Sequence, residues 1–162
     1  MKKVLLVVVA LLLVSVVSFA QLSAGKIAVT TDLGGAQLGG AYALSENMRI
    51  DGGLIFNSVS PPSPATSTTT FGLGANIKMY NPAMENVTYF YGAGLSFSTT
   101  NTSPSTSSLG VRVMGGAEYW FSSRFAWGGY VSLGFSSSGA SGATTSMFGT
   151  QAVGTTLTWW IN

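Results

Sequence analysis

An all-β chain, with eight antiparallel strands closed into an up-and-down barrel, is the fold class this sequence predicts. Three observations predict it. Apolar residues recur at every second position, short turns alternate with longer Ser/Thr/Pro/Gly tracts, and 46% of the 162 residues are hydrophobic while only 7% are charged. A soluble domain carries about 25% charged residues, and a disordered chain is poor in aromatics; this one has 9 Phe, 6 Tyr and 4 Trp.

The first element is not part of the fold. Met1-Lys2-Lys3 is basic, Val4 to Val17 is almost wholly apolar, and Ser18-Phe19-Ala20 places small residues at the positions a signal peptidase reads. This is the three-part plan of a cleavable secretory signal, and it is shorter than the roughly 20 residues of a spanning helix. Residues 1–20 are therefore expected to be a signal peptide and 21–162 the mature domain. Losing Lys2 and Lys3 leaves Lys26, Arg49, Lys78, Arg112 and Arg124 against Asp32, Glu46, Asp51, Glu85 and Glu118. The formal charge of +2 thus falls to zero, and no nucleic-acid partner is implied. With no cysteine, the exported chain has no disulfide framework.

The strands follow in order, each with alternate side chains on opposite faces. Ile27, Val29, Thr31 and Leu33 oppose Lys26, Ala28, Thr30 and Asp32; Leu38, Gly40, Tyr42 and Leu44 oppose Gln37, Gly39, Ala41 and Ala43. Met48, Ile50, Gly52, Leu54 and Phe56 oppose Arg49, Asp51, Gly53, Ile55 and Asn57, while Phe71, Leu73, Ala75, Ile77 and Met79 oppose Gly72, Gly74, Asn76, Lys78 and Tyr80. Tyr89, Tyr91, Ala93, Leu95 and Phe97 oppose Phe90, Gly92, Gly94, Ser96 and Ser98; Val111, Val113, Tyr119 and Phe121 oppose Arg112, Met114, Glu118 and Trp120. Phe125, Trp127, Val131, Leu133 and Phe135 oppose Ala126, Gly128, Tyr130, Ser132 and Gly134. In the last strand Val153, Thr155, Leu157, Trp159 and Ile161 share a parity that Phe148 breaks, which predicts a β-bulge between them, at Gly149. Residues 45–47, 81–86, 122–124 and 32–35 read as tight turns, and 58–69, 99–108 and 136–145 as long loops.

What lies opposite the apolar face decides between a soluble and a membrane barrel. A solvated face would be rich in Lys, Glu and Asp; this one is mostly Gly, Ala, Ser and Thr, which fits a narrow lumen. The apolar face then meets lipid. Tyr42, Tyr89, Tyr119, Trp127 and Trp159, with Tyr80, fall near the short turns, and Phe56, Phe71, Phe97 and Phe135, with Phe148, beside the long loops. Tyr89 to Phe97 spans roughly 20 Å at about 3.3 Å per residue and a tilt near 40°. Two aromatic girdles at that separation frame an apolar band. Arg49, Asp51, Lys78, Arg112 and Glu118 take inward positions and are expected to form lumen ion pairs, because an isolated charge there costs several kcal/mol. Which cation meets which anion stays open.

The chain has no histidine and no cysteine, which removes Ser/His/Asp, His-metal and thiol chemistry. No catalytic residue, metal site or cofactor is expected. Gly72-Leu73-Gly74 and Gly92-Ala93-Gly94 lack the helix and lysine of a phosphate loop and read as close packing within strands.

The signal peptide, the eight strands, the unequal rims and the hairpin Gly116 to Phe135 resemble the OmpX/OmpA-like family of small outer-membrane β-barrel proteins, over essentially all of residues 26–162. The resemblance implies a transmembrane barrel in the bacterial outer membrane of a Gram-negative cell. Export would run through the Sec pathway and insertion through the barrel assembly machinery, which recognises a terminal aromatic residue; here Trp159 and Trp160 precede Ile161-Asn162. Lipid-A enzymes of similar size are expected to use a histidine, so the expectation is a non-enzymatic monomer with outer-membrane lipid as its surroundings. Its role would be structural, or surface contact through the Ser/Thr-rich loops. The alternatives are a porin-like narrow channel or transporter for small solutes, and a secreted soluble β protein with an adhesive role.

Overall fold

The computed structural model of the chain describes residues 22–33, 37–62, 66–140 and 142–161. The expected signal segment 1–20 lies outside them, as do parts of the 32–35, 58–69 and 136–145 connections. Eight strands follow one another: β1 (Ile27–Asp32), β2 (Gln37–Ser45), β3 (Met48–Val59), β4 (Thr68–Met84), β5 (Val87–Asn101), β6 (Thr106–Ser122), β7 (Phe125–Ala140) and β8 (Ala143–Trp160). Each pairs antiparallel with its neighbours in sequence, and β1 pairs with β8, so the ring closes. No helix occurs among the described residues.

The period of two is realised along the wall. In β7, Trp127, Val131, Leu133 and Phe135 are exposed on the outside, while Ala126, Gly128, Ser132 and Gly134 are buried inside. The same division holds in β4, β5 and β6. Large apolar side chains thus cover the outer surface, while the concave side combines small residues, which a tightly curved eight-stranded sheet needs, with a few large buried ones such as Trp120, Trp160 and Arg49.

Three expectations are corrected. The tracts 81–86, 99–108 and 136–145 are mostly strand, because β4 runs to Met84, β5 to Asn101 and β7 to Ala140, with the next strands starting at Val87, Thr106 and Ala143. Ser and Thr read as loop residues in isolation, yet here they face one another across the ladder, as in Ser98↔Ser108, Thr100↔Thr106 and Ser138↔Thr145. Cross-strand hydroxyl pairs such as Thr70 Oγ1 with Thr100 Oγ1 at 2.8 Å stabilise these extensions. The bulge of the last strand lies at Gln151 rather than Gly149: Ser132 pairs with Ala152 and Leu133 with Thr150, leaving Gln151 over. Its side-chain amide donates to the Gly134 carbonyl at 3.1 Å, which accommodates the extra residue. Finally, Tyr80 points inward and is buried, so it belongs to the lumen and not to a girdle.

The wall is uneven in height. β1 meets β8 only over Ala28–Asp32 and Thr156–Trp160, and β2 begins opposite Ile55 of β3. Beyond the β1–β2 hairpin, β3 continues against β4 and β8 against β7. Among the described residues, Ala143–Gly154 of β8 therefore has no strand partner on its β1 side.

Candidate functional site

The inward side chains stack in three levels. At the short-turn end Trp120 and Trp160 lie nearly parallel, with centroids 6.1 Å apart, and Tyr80 and Phe90 sit 5.4 Å apart. Leu22, just ahead of β1, is 2% exposed and joins this floor. The Trp120 indole N–H donates to Thr88 Oγ1 at 3.1 Å; that of Trp160 has no partner.

Above the floor sits an ionic layer. Arg49, fully buried, donates through Nε to Asp51 Oδ1 at 2.6 Å and through Nη2 to Asp51 Oδ2 at 3.1 Å. The same guanidinium reaches Glu118 through Nη2 at 3.0 Å and Nη1 at 3.3 Å. Lys78 Nζ is 2.6 Å from Asp51 Oδ2, and the Tyr80 hydroxyl donates to Glu118 Oε1 at 2.9 Å. Two cations meet two anions with no side chain of the four more than 8% exposed. Charges removed from water survive only if compensated and hydrogen-bonded. Aromatic faces add to the cations' surroundings: Arg49 lies 5.0 Å from the Tyr80 ring centroid and Lys78 4.7 Å from that of Phe90. Four of the five expected lumen charges, Arg49, Asp51, Lys78 and Glu118, are thus brought together.

Arg112 lies apart from them. Its Nε and Nη2 both donate to Asn76 Oδ1, at 3.3 and 3.0 Å. Asn76, Gly94 and Arg112 are consecutive partners across β4, β5 and β6. A Cβ on Gly94 would run into the Asn76 side chain and lie 3.0 Å from the Ala75 carbonyl. The missing side chain is what lets Arg112 cross a strand to Asn76. Tyr130 and Asp32 repeat the device: Tyr130 is opposite Gly154, its hydroxyl donates to Asp32 Oδ2, and a Cβ on Gly154 would lie 2.9 Å from both Asp32 Oδ1 and Tyr130 Cε1. Sequence reading placed Asp32 and Tyr130 on the inward parity without assigning them to one another. Tyr80 shares that inward parity with Lys78 in the sequence, and its hydroxyl bond to Glu118 is what alternation alone could not assign.

These upper groups border a cavity of about 40 Å³ above the ionic layer. No group of three or more acidic residues that could hold a metal occurs among the described residues.

On the outside, Tyr42, Tyr89, Tyr119, Trp127 and Trp159 are exposed toward the short turns, and Phe56, Phe71, Phe97 and Phe135 toward the opposite rim. Neighbouring strands bring them side by side: Tyr119 opposes Trp127, Phe125 opposes Trp159, Phe56 opposes Phe71 and Phe135 opposes Phe148. At the lower rim Tyr119, Phe121, Phe125 and Trp159 form a continuous run with centroids 4.9 to 6.0 Å apart. Neither a protein-family model nor a curated relative matches the chain.

Proposed function

We propose that this chain is a non-enzymatic outer-membrane β-barrel protein of a Gram-negative type of bacterium, exported on the signal at 1–20 and active through contacts made by its extended rim. The carrying observation is the inside-out distribution of polarity. Charge is buried at Arg49, Asp51, Lys78 and Glu118, while Ile50, Leu73, Leu95, Val113, Val131 and Leu133 are exposed. Water would penalise that arrangement by roughly 25 cal/mol for each Å² of apolar surface left uncovered, and a hydrocarbon surround removes the penalty. Ring closure pairs every strand on both sides over part of its length, toward the backbone pairing a bilayer demands. Among the described residues the upper stretches of β3 and β8 stay unpaired on their β2 and β1 sides.

Strands β4 to β8 have 15 to 18 residues, against about 9 to 11 needed to cross. The excess is the Ser/Thr-paired rim, and its contact surface includes the unpaired edge of β8, a row of backbone donors and acceptors suited to an added strand. The lumen carboxylates are engaged by Arg49, Lys78 and Tyr80, an arrangement that holds shape and neutrality rather than presenting a proton to a substrate.

Detergent fractionation with gel mobility before and after boiling tests the membrane reading. The expected result is recovery in the detergent-extracted membrane fraction with a heat-dependent shift; a chain soluble without detergent and unshifted would replace this reading with a secreted β protein. The polar cavity above the ionic layer favours one second reading, a narrow solute path. Reproducible unitary conductance in planar bilayers would support it, and silence would support a closed lumen.

A further inference from the structure

We propose that the upper lumen is a binding site for a small carboxylate, with Arg112 as the residue that takes it. The site goes beyond the surface-contact role and does not depend on a membrane, since it belongs to the interior of the ring. A soluble barrel would carry it equally.

The polar groups that border the cavity differ in how far they are already used. Asp51 accepts from both Arg49 and Lys78, and Asp32 accepts the Tyr130 hydroxyl. The carboxylates bordering the cavity are therefore engaged. Arg112 is engaged differently, because a guanidinium has five N–H groups in a planar fork and its hydrogen bonds go to one neutral oxygen, Asn76 Oδ1. No carboxylate among the described residues lies within ion-pair distance of it. With its Oδ1 taken, Asn76 has its amide N–H groups left to give, and Gln37 and Thr156 bring further donors to the same cavity. Gln37 and Thr156 carry acceptor oxygens as well, so the selection of an anion rests on Arg112, a lining cation hydrogen-bonded to a neutral oxygen while Lys78 is held by Asp51 and Asp32 by Tyr130.

Size and shape narrow the class. A cavity of about 40 Å³ has room for about three waters at roughly 10–15 Å³ each, the scale of a carboxylate and one or two carbons. A planar fork matches two coplanar oxygens better than a tetrahedral dianion, whose second charge one guanidinium would not offset. Asp32 and Gln37 line the cavity, and they are the last residue of β1 and the first of β2, so the cavity lies at that end of the two strands. Asn76 fixes the fork in advance across Gly94, so little side-chain freedom is lost on binding.

The experiment uses the refolded barrel in detergent micelles, with sodium formate and sodium acetate titrated against chloride at constant ionic strength. The readout is the ¹⁵N side-chain resonances. Saturable shifts are expected at Arg112 Nε and the Asn76 and Gln37 amides, with none at Arg124, which is exposed at the β6–β7 turn. Arg112→Met should weaken binding about tenfold or more, since charge-assisted hydrogen bonds are lost, and Arg112→Lys should retain part of it. Shifts that stay linear, or that match those of Arg124, overturn the proposal, as does unchanged affinity in Arg112→Met. Should Arg112→Met not assemble, Asn76→Ala serves instead: weaker binding from the unfixed guanidinium supports the site, and unchanged affinity overturns it.

Discussion

Replacing Glu118 with glutamine puts the logic of the ionic layer under the sharpest strain. The amide is nearly isosteric and can still accept from the Tyr80 hydroxyl and from Arg49, so the change is mainly one of charge. It leaves Arg49 and Lys78 facing Asp51 alone, one positive charge in excess among side chains 0–8% exposed. Breaking a buried pair costs about 3–5 kcal/mol; about 3 is expected here because Asp51 stays bonded to Arg49. With a urea slope of about 2 kcal/mol per molar, the midpoint should fall by about 1.5 M. The assay is urea unfolding of the refolded barrel, followed by tryptophan fluorescence and gel mobility. Arg49→Met alone leaves an excess negative charge and should cost about as much. Combining the two restores neutrality through Lys78 and Asp51, 2.6 Å apart, so the double variant should be more stable than additivity allows by about 2–3 kcal/mol. A double variant that falls by the sum of the singles would refute charge compensation as the principle of this layer.

Three further outcomes are expected. Gly94→Ala should lose about 1–3 kcal/mol by overpacking against Ala75 and Asn76, and Asn76→Ala in the same chain should return part of it, both read by unfolding midpoint. Deleting Gln151 should leave every β7–β8 partner in place and cost about 0.5–1.5 kcal/mol for its hydrogen bond; deleting Gly116, paired on both sides, should abolish the heat-shifted band because half of β6 would change face. Val131→Lys, midway between Trp127 and Phe135 on the outer surface, should destabilise the vesicle-inserted barrel by about 2–4 kcal/mol, and an unchanged midpoint would argue against a lipid-facing wall.

The inward and outward sets of β3 to β7 were readable from alternation alone, because a strand has only two faces and each carried a different chemistry. Strand ends were not, since Ser and Thr between residues 98 and 108 have no local signal for pairing and are held across their own hairpin and by β4 and β7 on either side. The ionic layer was legible as a set of inward residues. Its wiring was not: Arg49 joins Glu118 across 69 residues of sequence, a distance set by barrel diameter and tilt. Leu22 carried no signal at all, being a single apolar residue outside any strand. The bulge was legible as a parity break but not to the residue, because any position between Phe148 and Val153 repairs the count and only the ladder selects Gln151.

The short first strand has a mechanical consequence. A ring under tension is as strong as its weakest joint, and here β1, only six residues long, is held on both sides by brief ladders, whereas β7 and β8 are zipped almost end to end. Opening by heat or pulling should therefore begin along one line of the wall, with the amides of β1 exchanging before those of β6 and β7. Trp159 and Trp160 sit on that line, opposite Val29 and Ala28. Their fluorescence would time the moment at which a curved ribbon becomes a hoop.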